Sequence, residues 1–244
     1  MTNENKYEPK NIFDIVYGNE ESQMRIEDIV SGVEPLPSFG KCAILLYGVF
    51  GTGKTTLANM LPDAIEFGKT QGELAMPLQF IACQQGFNGP QVMTLIESQL
   101  SKVSLNASGL HYFVIDEVDN LTKLAQQSLK SALNTTRAIF ILTTNNVSQL
   151  DKGLMDRCVL AEMNAAQPKQ LAPLIQRIAA DANVVLNATE TQIIAMGCNG
   201  SVRNLAHTTM RYISRKQRES QARNVAGGVE GLNLKMKSTN EVSV

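Results

Sequence analysis

The chain has 244 residues, 43% of them apolar, and a formal net charge of −1. That much apolar side chain suffices for one large core or two modest ones. A charge so near zero excludes a global field drawing the protein onto DNA or membrane, so any nucleic-acid contact has to come from a local patch. The four cysteines, Cys42, Cys83, Cys158 and Cys198, are scattered and form no CxxC pair. This argues against a zinc module and for a reduced, intracellular protein. The polar opening, residues 1–10, is unlike a secretory signal, and no apolar run near a motif approaches the length of a membrane span. The expected placement is cytoplasmic and away from membranes.

Taken in chain order, residues 1–40 read as a polar lead-in with one amphipathic helix around 21–30. From Lys41 onward short apolar runs alternate with helical stretches, the signature of a parallel sheet in an α/β domain. The runs 42–47, 78–83, 112–115 and 139–143 predict strands, and 55–61, 90–102 and 121–133 predict the helices between them. In the last of these, Leu121, Leu124, Ala125, Ser128, Leu129 and Ala132 fall at helical spacing and predict one buried stripe. After about Asn164 the strand-like runs stop. Residues 168–182, 189–197 and 202–217 predict three helices, with Asn199-Gly200-Ser201 as a stop followed by a cap. The organisation expected is an α/β domain over 1–164, a small all-helical domain over 165–217 and a tail over 218–244. That tail loses periodicity, carries Gly227, Gly228 and Gly231, and is expected to be disordered.

Two motifs carry the chemistry. Gly48-Val49-Phe50-Gly51-Thr52-Gly53-Lys54-Thr55 fits G-x-x-x-x-G-K-[ST] between an apolar strand and a helix. Glycines let successive backbone N–H groups curl around phosphate oxygens at the positive end of the following helix. These eight residues and Thr56 are the expected ATP contacts, with Lys54 on the β/γ-phosphates and the Thr55 hydroxyl on Mg²⁺. The second motif, Tyr112-Phe-Val-Ile-Asp116-Glu117-Val-Asp119, is an apolar strand that ends in acids. Asp116 is expected to hold the magnesium through water, and Glu117 to polarise the attacking water.

Together with a second strand ending in Thr143-Thr144-Asn145-Asn146, these motifs resemble the AAA+ superfamily. More narrowly, the chain resembles the small ATPase subunits of clamp loaders, replication factor C and its phage counterparts. The opening Lys6-Tyr7-Glu8-Pro9-Lys10 is similar to their Tyr-Arg-Pro-Lys lead-in, with Glu8 in place of the usual arginine. Asp156-Arg157-Cys158 stands where the family carries Ser-Arg-Cys, and Gly200-Ser201-Val202-Arg203 resembles its second-sensor motif. The resemblance covers residues 5–217. It implies a P-loop AAA+ core, a parallel sheet flanked by helices, plus a small all-helical lid. It further implies that Asn145 orients the lytic water, that Arg203 touches the γ-phosphate from the lid, and that Arg157 is an arginine finger reaching a neighbour's ATP. Tyr7, Pro9, Ile15 and Val16 would border the adenine.

The implied activity is ATP hydrolysis in a homo- or hetero-oligomer that engages primed or double-stranded DNA and a sliding clamp. Lys123 and Lys130 share one helix face, and 203–223 holds six Arg or Lys against one acid, so both stretches are candidate DNA contacts or plain solvated faces. Val92, Met93 and Ile96, preceded by Phe87-Asn-Gly-Pro, match the family's clamp-contacting helix, and a place in the core fits them as well. Three departures stand out. Ala82 occupies the position where the family carries an Asn restraining the catalytic glutamate. No zinc insertion is present, and the helical collar that follows the lid in the family does not follow here. Two other readings fit the residues: an AAA+ branch-migration or helicase-loading factor, and an ATP-dependent regulatory switch acting on a protein partner. The sensor Asn and the arginine-bearing lid argue against a small-molecule kinase.

Overall fold

The computed structural model describes residues 6–72, 74–75, 79–83 and 89–240, with side chains from 223 onward, and those of 89 and 91, outside the description. Five strands form one parallel sheet: β1 (Ala43–Tyr47), β2 (Gln79–Ala82), β3 (His111–Asp116), β4 (Ala138–Thr144) and β5 (Cys158–Glu162), in the order β2-β3-β4-β1-β5. β4 is buried at every position and β1 at all but its last, as a strand covered on both faces must be. β5 escapes the sequence reading because its apolar run is only Cys158 to Ala161, between Arg157 and Glu162, in a stretch read there for its Asp-Arg-Cys motif. Its pairing with β1, Ala43 to Cys158 through Tyr47 to Glu162, is what defines it.

Helices cover both faces: α1 (Glu20–Ser31) and α2 (Lys54–Thr70) on one, α3 (Gly89–Leu100), α4 (Lys123–Ala132) and the short α5 (Lys152–Asp156) on the other. Phe113 and Phe140 stack between β3 and β4 with ring centroids 4.9 Å apart. The helix expected to stop at Leu61, before Pro62, instead continues to Thr70. An interior proline costs about 3 kcal/mol, but Leu57, Leu61 and Ile65 lie one turn apart and are fully buried, each contributing about 1.5–3 kcal/mol. Burial wins. Glu66, on the same helix and fully buried, accepts from the Ser108 backbone and hydroxyl and from Tyr112 Oη. A carboxylate removed from water needs such partners.

The stripe expected along α4 is corrected at one end. Thr122 caps the helix by accepting from the Ala125 N–H, so Leu121 lies before it. The buried line becomes Ala125, Leu129 and Leu133, while Leu124 is 75% exposed.

After β5 the chain enters α6 (Pro168–Asp181), α7 (Ala188–Gly197) and α8 (Val202–Asn240), which share a core of their own around Leu171, Ile175, Ile194 and Leu205. α8 does not end at Gln217; it runs on to Asn240. The Ala, Gln, Arg, Glu, Leu, Lys and Met residues interspersed there are strong helix formers, which a search for an apolar stripe overlooks. None of the helices among the described residues is long and apolar enough to cross a membrane.

Candidate active site

In a parallel sheet every strand ends at the same edge, and the sequence motifs meet there. β1 ends at Tyr47 and the loop 48–53 turns into α2. Gly53 caps that helix at φ 89°, and Gly51 sits at φ 77°, both in the left-handed region that glycine alone adopts readily. Gly51 also faces the lid so closely that a Cβ there would collide with Ser201 Oγ. Thr52 Oγ1 donates to Val49 O at 3.0 Å and pins the loop. Lys54, 6% exposed, donates from Nζ to Gly48 O at 3.0 Å and Val49 O at 2.6 Å. Burial pushes its pKa below the usual lysine value, opposed by the carboxylates of Asp116, Asp119 and Glu117.

Thr55 Oγ1 donates to both oxygens of Asp116, at 3.0 and 3.2 Å. The first helical turn after β1 thereby meets the end of β3. Thr143, on β4 between them, donates its hydroxyl to Asp116 Oδ1 and accepts the Glu117 backbone N–H at 3.0 Å. Thr143 was not a sequence candidate, although it opens the quoted Thr143-Thr144-Asn145-Asn146 run. A pair of threonines closing an otherwise apolar strand is the signal that was there to read. Its neighbour Asn145 lines the same cavity.

That cavity, about 750 Å³, lies between the sheet edge and the lid, within the range of about 300–1,000 Å³ usual for small-molecule sites. Phe50, Gly51, Gly53, Lys54, Thr55, Thr56, Asp116, Glu117, Thr143 and Asn145 form its floor. Tyr7 and Pro9 come from the lead-in, and Arg203 from α8. The lid touches the phosphate loop directly, because the Arg203 backbone N–H donates to Gly51 O at 3.3 Å. Ala206, His207 and Met210 continue the Arg203 face at spacings of three, four and seven residues, a pattern legible once Arg203 is placed. Lys6 closes the far end by pairing with Asp181 of α6 at 3.0 Å. The remaining candidates lie elsewhere. Ile15 is buried in the core beneath α1 and α2, and Val16 packs against the lid core. Gly48, Val49 and Thr52 shape the loop without lining the cavity.

Arg157 is at the opposite edge of the sheet. It precedes β5, and its carbonyl accepts from the Cys42 N–H just before β1. From Cys42 to Gly48 the chain climbs six residues, about 20 Å at about 3.3 Å per residue. Its guanidinium donates to Asn134 Oδ1 at 2.9 Å and Gly153 O at 2.7 Å, and neither bond involves Asp156.

Other expected contacts are partly redistributed. Val92 and Ile96 are buried in the core under β3 and α4, which removes them as a clamp-facing surface; Met93 of the same helix is half-buried. Phe87 and Asn88 lie outside the described residues. Lys123 is exposed, while Lys130 pairs with Asp151 at 3.2 Å. On α8, Arg211 and Arg218 are exposed, Arg215 pairs with Glu219 and Lys216 with Glu190. Asn120 touches the Glu117 carboxylate, its amide donating to Glu117 Oε2 at 3.1 Å. Ala82, at the end of β2, has only a methyl group.

Residues 44–163 match the family model described as ATPase family associated with various cellular activities (AAA). This is an AAA+ fold. The chain is 26% identical over 200 residues to replication factor C small subunit 1 of Pyrobaculum arsenaticum, covering 81% of this chain and 57% of that protein. It is 24% identical over 213 residues to replication factor C subunit 4 of Oryza sativa subsp. japonica, covering 86% and 60%. It therefore resembles replication factor C subunits while spanning under two thirds of their length. Among solved structures, the Thermotoga maritima RuvB Holliday junction branch migration motor superposes with a TM-score of 0.60 at 20% identity, covering 84% of this chain and 64% of that one. The P-loop core with a parallel sheet and a helical lid is thus as the motifs led one to expect, and such a fold implies nucleotide binding.

Proposed function

We propose that the chain is an ATP-hydrolysing, clamp-loader-like subunit that engages DNA and a sliding clamp in an ATP-bound oligomer. One observation carries the nucleotide part: Lys54, the Thr55–Asp116 pair, Glu117, Asn145 and the lid's Arg203 face a single cavity. The donor set fits Mg-ATP. Thr55 and Asp116 offer hard oxygens, and Mg²⁺ is typically held by one or two carboxylates together with phosphate oxygens and water. When bound, the ion neutralises charge developing on the phosphates. In this reading the glycine-rich loop and Lys54 bind and orient the phosphates, and Glu117 takes the proton of the attacking water. Asn145 orients that water, and Arg203 holds the γ-phosphate from the lid. Arg157 cannot serve its own cavity across about 20 Å of sheet, and in this reading it completes the cavity of an adjoining copy or sister subunit.

The clamp and DNA part rests on the resemblance to replication factor C subunits. ATPase rates measured alone, with primed DNA, and with DNA plus the cognate clamp test it. Stepwise stimulation is the expected result. Indifference to both additions would reject the clamp-loader reading and leave the ATPase reading standing.

A further inference from the structure

The lid is joined to the α/β domain in two ways. One is covalent, the stretch 163–167 between β5 and α6, whose Met163 N–H donates to Tyr47 O at 2.7 Å. The other is the lead-in, 6–17, which belongs to both bodies. Ile12, Ile15 and Tyr17 are buried in the core beneath α1 and α2, whereas Tyr7 and Val16 pack against the lid core. The same segment touches α6 at three places. Gln170, in the first turn, donates from Nε2 to Tyr17 O at 2.8 Å. Arg177 stands over the Tyr7 ring, 6.0 Å from its centroid, within reach of a cation–π attraction. Asp181, the last residue of α6, pairs with Lys6 at 3.0 Å.

Lys6, Tyr7, Glu8 and Pro9 therefore cross the far end of the cavity as a strap, fixed to the sheet domain at Ile12 and to the lid at Lys6. Parting the lid from the sheet domain at that end leaves the covalent stretch intact and has to release the strap. The Lys6–Asp181 pair is its outermost fastening, and it is built to open. The two side chains are 55% and 33% exposed, so water can take over either charge, and such pairs are individually weak. While closed, each partner keeps the other charged: Lys6 holds the Asp181 carboxyl below the usual carboxylate range, and Asp181 raises the Lys6 ammonium above the usual lysine value.

We propose that Lys6 and Asp181 form a clasp that gates nucleotide exchange, the strap unfastening from α6 before a nucleotide enters or leaves the cavity. The inference rests on the cavity being the nucleotide site, and its test separates the two. Stopped-flow fluorescence with mant-ADP, a fluorescent ADP analogue, gives association and release rates on the full chain. The proteins compared are the unaltered chain, Lys6→Ala, Asp181→Ala and the exchanged pair Lys6→Asp/Asp181→Lys. Each single variant should speed association and release alike, by about two- to fivefold, with little change in affinity, because a lowered barrier acts in both directions. The exchanged pair should return both rates toward those of the unaltered chain, which a merely structural role for either side chain would not do. Added salt should speed release from the unaltered chain more than from either single variant, since it screens an exposed pair that the variants lack. Faster release alone would make the pair a direct grip on bound nucleotide and overturn the clasp. So would unchanged rates in the single variants, or an exchanged pair that unfolds at the normal temperature yet stays as fast as they are. Failure of the unaltered chain to bind mant-ADP overturns the nucleotide site, and the clasp with it.

Discussion

The two edges of the sheet carry opposite kinds of information. At the edge where the strands end, residues separated by more than ninety positions (Lys54, Asp116, Glu117 and Asn145) converge on one cavity, where Thr55 and Thr143 bond Asp116 and Thr143 also bonds Glu117. At the edge where the strands begin, Arg157 is held by Asn134 and Gly153 and does not line that cavity. The difference teaches that a parallel sheet brings strand-end residues together at one edge, whereas a residue at a strand start lies too far away to share that cavity. At the first edge the proposed nucleotide site is gathered in one cavity, whereas the role proposed for the second requires an adjoining subunit.

The sharpest way to break this comparison is Arg157→Ala. Arginine fingers contribute about 10³–10⁵ in rate in other P-loop enzymes, so hydrolysis should fall by that order while ATP binding survives. Lys54→Ala subunits keep the arginine and lack a usable phosphate site. Mixed with Arg157→Ala subunits, they should restore turnover, because an intact cavity can then sit against an intact arginine. ATPase activity across mixing ratios, at concentrations where light scattering shows association, is the measurement. Activity no greater than that of the two parents in confirmed mixed oligomers would return Arg157 to a local structural role.

At the cavity edge, Glu117→Gln should lower turnover by about 10²–10⁴ with ATP affinity retained, and Lys54→Ala should lose the affinity itself. Labelled ATP binding and phosphate release separate the two. Near-normal hydrolysis by Glu117→Gln would mean another group takes the proton.

A further test asks whether the lid belongs to the cavity edge. Gly51→Val places a branched side chain at a left-handed position and against Ser201. Strain of about 1–3 kcal/mol should weaken ATP binding by roughly five- to 150-fold while the unfolding transition of the α/β core remains. Affinity equal to the unaltered protein would show that lid and loop move independently. Ile96→Ala, by contrast, should cost about 2–5 kcal/mol of stability as a fully buried side chain, read from denaturant unfolding, whereas half-buried Met93→Glu should lower clamp stimulation more than stability.

The smallest effect expected is at the thiols. Burial pushes Cys42 up to about 11 and both Cys83 and Cys158 up to about 12. A raised thiol pKa leaves the protonated, unreactive form dominant at pH 8, so the native chain should resist iodoacetamide there and react fully only in denaturant. Rapid modification of the native protein, followed by mass spectrometry, would show that one of these sites opens to solvent.

The sequence by itself determined the α/β class, four of the five strands, the phosphate loop and the acidic strand end, because those rest on local signals: apolar runs, glycines at fixed spacing and charge at a strand terminus. It did not reveal β5, whose short apolar stretch becomes a strand only by pairing with β1. Nor did it reveal that α2 passes through Pro62, where the decision lies in the burial of Leu57, Leu61 and Ile65. Val92 and Ile96 fit a surface or a core equally well as a pattern, and packing under β3 and α4 chose the core. Thr143 and Asn120 carry no motif of their own. The bonds of Thr143 to Asp116 and Glu117, and of Asn120 to the Cys83 carbonyl, exist only because strand order brings the ends of β2, β3 and β4 side by side, and that order is a property of the folded sheet rather than of any local stretch of chain.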